Sequence, residues 1–201
     1  MMIRSKSVPP FLAVLAAVAL VLSLAAVPRA AAESNRAHDT ARILAGLPVA
    51  AESPLAPLMK EPAWQSHART LDQAWGDLER RQLSRIRAWS AANMTSPQQT
   101  AFYMFSGPDF LYVNAFLPDR STYVLCALEQ VGAIPLLTEA SRRTMSYGLP
   151  GLRSSISTVL SYSFFITKKM RATFGSNTYR GALPILYVFL ARSGKTLKEV
   201  S

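Results

Sequence analysis

Apolar residues between Pro62 and about Ala92 recur at steps of three and four: Leu71, Trp75, Leu78, Ile86 and Trp89, with Gln82 bridging the gap. Those steps form a single stripe while Asp and Arg fall on the other faces, so the spacing predicts an amphipathic helix whose tryptophans belong to the core. Asp72, Asp77 and Glu79 come early and Arg80, Arg81, Arg85 and Arg87 late, an order that suits the helix dipole, and Asp77 precedes Arg81 by one turn for an intrahelical pair. The run RRQLSRIR reads as a solvated face of this helix. Its alternative is a weak contact of Arg80, Arg81, Arg85 and Arg87 with an anionic membrane surface. Nucleic acid is not expected, because no aromatic residue interleaves with these arginines on the same face.

Beyond the turn at NMTSP the pattern changes to short apolar runs. TAFYMF and TYVLCALEQV read as strands, and FLYVNAFLP between them as a short helix or a second strand. LTEASRRTMSYG predicts a helix stopped by Gly148 and Pro150. GLRSSISTVLSY predicts another, with Leu152, Ile156, Val159 and Leu160 at helical spacing. SFFIT, KMRATF and ALPILYVFLAR read as successive strands, with GSN as a hairpin turn. The fold class is therefore α/β or α+β: a mixed sheet with helices packed on it, in one domain over residues 62–201. The closing TLKEVS has the alternation of a strand just beginning, which predicts a domain that continues further.

Two segments precede that domain. Residues 33–61 are rich in Ala and Pro, and Pro48, Pro54, Pro57 and Pro62 break helices, so they read as an extended arm that ARILAGLP tacks to a surface. Residues 1–32 combine a basic start, MMIRSKS, an apolar stretch and the A-x-A arrangement at Ala30 and Ala32 that a signal peptidase reads. Export with cleavage after Ala32 is the expectation. The alternative is an uncleaved inner-membrane anchor, since the apolar stretch approaches the roughly 20 residues that span a bilayer.

The formal charge of +10 falls to +7 without the leader, which holds Arg4, Lys6 and Arg29 and no acid. Such a charge allows attraction to anions without fixing a fold or a reaction. The single cysteine, Cys126, has no internal disulfide partner, and its apolar setting predicts a buried small hydrophobe.

Candidate chemistry is sparse. A phosphate loop needs G-x-x-x-x-G-K-[ST], but in YVFLARSGKT the first glycine position is Phe189, and six residues follow Lys195 where a long helix belongs. That stretch reads as a strand running into a turn. His38 and His67 lie outside the strand-rich region, so a Ser-His-Asp relay has no support in the spacing. No zinc or calcium spacing occurs, and no cofactor is expected. SGPD places Ser106 at a helix N-cap and Asp109 by the free amides. The same corner offers Ser106, Asp109, Tyr112 and Asn114 as a binding surface. Asp109 and Glu129, each at the end of an expected strand, form the carboxylate pair that a glycan hydrolase would need. Arg153 beside Ser154, Ser155 and Ser157 reads as close helix packing rather than an anion contact.

FSGPDFLYVNAF, YVLCALE, LRSSISTVLSYSFF and PILYVFLARSGKT together resemble segments of a group of uncharacterised exported bacterial proteins, over most of residues 62–201. The resemblance implies export and a shared α/β domain and transfers no functional residue. The expected function is a non-catalytic envelope or periplasmic binding domain, its partner an envelope component or a small ligand. A carboxylate-dependent hydrolase acting on an envelope glycan is the alternative.

Overall fold

The computed structural model describes residues 35–94, 99–105, 110–118, 122–127, 131–161 and 181–198. Helix α1 occupies residues 35–44, inside the stretch expected to be a loose arm. All four prolines of that stretch lie downstream of it, so none breaks it. It ends in a Schellman turn: Gly46 donates to Ile43 O at 3.1 Å and Leu47 to Arg42 O at 2.8 Å, with Gly46 at φ +65°. Gly46 is required twice over, because a Cβ there would lie 2.7 Å from Ala68 Cα.

Ile43, Leu44, Leu55 and Leu58 are all buried to within 1% of completely. At roughly 2 kcal/mol apiece their gross contribution rivals the net stability of a whole domain. The supposed arm is core.

Three side-chain donors hold the end of α1. Helix α2 (Pro62–Leu78) supplies Trp64 Nε1, 3.0 Å from Ile43 O, and His67 Nε2, 2.7 Å from Leu44 O. Arg192 Nε, from the far end of the chain, donates to Ala45 O at 2.8 Å. The arginine also pairs with Asp72 at 2.6 Å and lies over the Trp75 ring. Carbonyls at the C-terminus of α1 thus accept from partners 21 to 147 residues away in sequence, which ties α1 to α2 and to Arg192.

Arg192 closes α6 (Ala182–Arg192), the ALPILYVFLAR run expected to be a strand. Its β-prone Tyr187, Val188 and Phe189 are nearly fully buried, and burial on several sides removes the periodicity by which a helix is read. The helix ends in a second Schellman turn, Gly194 to Ala191 O and Lys195 to Leu190 O, with Gly194 at φ +70°. The GKT stretch is therefore a helix C-terminus, opposite in polarity to the end that cradles phosphate.

Another correction concerns α5, which runs unbroken from Arg142 to Ser161 through Gly148 and Pro150. Met145, Leu149, Leu152, Ile156 and Val159 form one buried stripe across the proline, and packing of that stripe outweighs the lost backbone bond. Ser155 is buried in the same helix.

Strands β1 (Thr100–Phe105) and β2 (Thr122–Ala127) pair in parallel, Thr100 with Thr122 through Phe105 with Ala127, and α4 (Phe110–Phe116) lies between them in sequence. Both strands and the short helix match the sequence pattern. The described fold is thus α+β, mostly helical with this one small sheet. SFFIT, KMRATF, GSN and the leader over 1–32 lie outside the described residues. Cys126 is exposed rather than buried, because strand alternation turns Val124 and Cys126 to the outer face and Tyr123 and Leu125 to the inner one.

Candidate functional site

Helices α2 and α3 (Ser84–Asn93) form one rod interrupted by a π turn at Glu79–Leu83. A π turn takes in one extra residue, so everything beyond it is rotated by about 100° relative to an unbroken α-helix. Burial records the shift: the rod buries Trp64, His67, Leu71, Leu78, Leu83 and Ser90, with a five-residue step from Leu78 to Leu83. Uninterrupted counting puts Gln82 and Trp89 in the stripe. Leu83 and Ser90 take those places instead, and Trp89 emerges 54% exposed.

Gln82, Trp89 and Ser90 all meet α4. Ser90 Oγ donates to the Phe116 carbonyl, and the Tyr112 hydroxyl donates to Gln82 Oε1 at 3.3 Å. These bonds fasten α4 beside α3. Between them lies an open groove of about 450 Å³, lined by Arg81, Gln82, Arg85, Ile86, Trp89 and Phe116. Trp89 and Phe116 meet edge to face with centroids 6.0 Å apart.

Four arginines surround the π turn, in different states. Arg80 is paired with Asp77 and Arg87 with Glu79. Arg81 uses Nε on the Asp77 carbonyl at 3.3 Å, so the expected Asp77–Arg81 pair is replaced by Asp77–Arg80. Arg85 has no hydrogen-bonding or ion-pair partner among the described residues. The groove thus combines aromatic and aliphatic lining with the unpaired Arg85 guanidinium. Among the described residues its lining holds no Ser, Thr, Cys, His, Lys, Asp or Glu.

Of the residues proposed from sequence, Tyr112 stands at the back of this groove through its bond to Gln82. Asn114, two positions along the same helix and so on its opposite side, is half-buried, and its Oδ1 has no partner among the described residues. Ser106, Asp109 and Glu129 lie outside the described residues. Sequence reasoning missed Trp89, Phe116 and Gln82 as lining residues. The available signal was Leu83, an apolar residue one step out of phase after Leu78.

His67 is structural. Its Nε2 must carry the proton, since Leu44 O can only accept, and Nδ1 is buried without a partner. Burial first, with Arg153 and Arg192 nearby, pushes its pKa down to about 4, against the opposing pull of the Leu44 bond. Among the described residues no cluster of His, Cys, Asp and Glu is built to hold a metal ion, and no helix is long and apolar enough to cross a membrane. No family model, curated protein or solved structure matches the chain.

Proposed function

We propose that the protein is an exported, non-catalytic binding domain that holds its ligand in the groove between α3 and α4. One observation carries this reading: the π turn leaves Trp89 and Phe116 open to solvent beside an uncommitted arginine, in a groove whose volume falls in the usual range for ligand sites. An exposed tryptophan is a costly surface residue unless it serves a contact, and aromatic residues with arginine dominate contact surfaces. The basic start, apolar stretch and A-x-A site of the leader support export.

Two measurements test it. N-terminal sequencing of the product from an expressing bacterium is expected to begin at Glu33 in the envelope fraction; an intact chain dissolved in the cytoplasm contradicts export. The neutral apolar dye Nile red is expected to brighten on the wild type and lose most of that signal on Trp89→Ala, with an unchanged melting temperature. Equal dye binding by the two proteins contradicts the groove as contact surface.

A further inference from the structure

We infer that the groove takes a small amphipathic organic oxyanion, its flat or acyl body on Trp89 and Phe116 and its carboxylate or phosphate head against Arg85. The inference rests on the groove being the binding surface and adds the chemical class of the ligand. The distribution of charge around the π turn supplies it. Asp77 and Glu79 neutralise Arg80 and Arg87, and a backbone carbonyl occupies the Nε of Arg81. What remains is local: the Arg85 guanidinium and the free end of Arg81, one turn apart in the lining of a groove to which no acid contributes among the described residues.

A guanidinium without a carboxylate partner presents a fork of donors that fits a carboxylate or a phosphate in two parallel bonds. Among the described residues the floor's other polar groups are the Gln82 amide, whose Oε1 already accepts from Tyr112, and the Trp89 indole N–H, and neither carries a charge. A neutral or cationic ligand with the same body would therefore leave the charge unanswered. Concentration of charge at one point also separates a single-headgroup ligand from a bilayer surface, which would need several free cations at once, each adding about tenfold or less. Here most of the four arginines are already engaged.

The test uses the protein as purified from the expressing bacterium and matched probes: 1-naphthoate, 1-naphthyl phosphate, the neutral 1-naphthamide and the cationic 1-naphthylmethylammonium, each displacing Nile red. The two anions are expected to bind roughly tenfold more tightly than the amide and the cation least. Arg85→Gln is expected to abolish that preference while the melting temperature stays at the parent value. Trp89→Ala is expected to weaken all four probes. If Nile red depends on Trp89 but anion and amide bind equally, the ligand class is overturned and the groove stands. If neither the dye nor any probe depends on Trp89, both fall. Saturable binding to phosphatidylglycerol vesicles but to neither soluble anion overturns the small-ligand reading in favour of a membrane surface.

Discussion

The two sides of the molecule treat their polar and apolar groups in opposite ways. Around the end of α1, apolar side chains are sealed and the backbone carbonyls Ile43, Leu44 and Ala45 are each met by a donor from a distant element. On the side of α3, α4 and the β1–β2 pair, large apolar groups face water: Trp89, Phe102 at 80% and Met104 at 76% exposure. Parallel strands are ordinarily covered on both faces, so an outer face bearing Phe102, Met104 and Val124 departs from that habit. The end of α1 is closed by α2 and Arg192, whereas the α3, α4 and β1–β2 region keeps apolar surface open for contact.

The contrast is broken most severely by filling Gly46. Gly46→Ala puts a Cβ into Ala68 and forces an L side chain to positive φ, and is expected to cost about 3 kcal/mol in urea unfolding. A loss under 1 kcal/mol would show that the α1 end is softer than its contacts imply.

Acid sharpens the comparison next. His67 ionises near its ordinary 6.5 in the unfolded chain and near 4 in the folded one, so the unfolded state takes up the proton first. Its contribution to stability is complete above about pH 6.5 and is lost as pH falls toward 4, amounting to about 3 kcal/mol or somewhat less. His67→Gln, which keeps a donor for Leu44 O, is expected to flatten that part of the pH–stability curve; an unchanged slope contradicts the assignment. Trp64→Phe, which removes the donor to Ile43 O, is expected to cost about 1 kcal/mol.

On the open flank the same kinds of change are expected to be nearly silent in stability. Deleting Arg80 shortens the step from Leu78 to Leu83 to four residues, turning the π turn into an α turn while both stripes keep their phase. The deletion is expected to melt within a few degrees of the parent, whereas a deletion at Ala74, inside regular helix, is expected to be ruinous. Trp89→Ala and Arg85→Gln are each expected to shift stability by less than about 0.5 kcal/mol.

How much of this was legible follows from the physical signal each element carries. The β1, α4 and β2 runs were readable because short alternating or apolar segments were bounded by turn residues. Helix α6 was not, since Leu183 to Leu190 are apolar at every position and such a run carries no period to separate helix from strand. Pro150 looked like a stop, yet the stripe from Met145 to Val159 passes it, so tertiary burial overrode a local rule. Residues 35–44 were absorbed into a spacer because Ala and Pro recur over the whole of residues 33–61. Buried Ala37, Ala41 and Ala45 are the small residues that let α1 pack closely. The groove was hidden for a single reason: the stripe was extended through Gln82 at α spacing, and a one-residue change of phase sends Trp89 outward.

Iodide quenching of tryptophan emission tests that change of phase directly. Trp64 is buried and Trp75 lies half-covered beneath Arg192, so Trp89 is expected to carry nearly all the iodide-accessible fluorescence. The accessible fraction is predicted to vanish in Trp89→Phe and to shrink when 1-naphthoate is added to the wild type. Emission from Trp89 that iodide cannot reach would mean that the residue belongs to the buried stripe, and the groove would not exist.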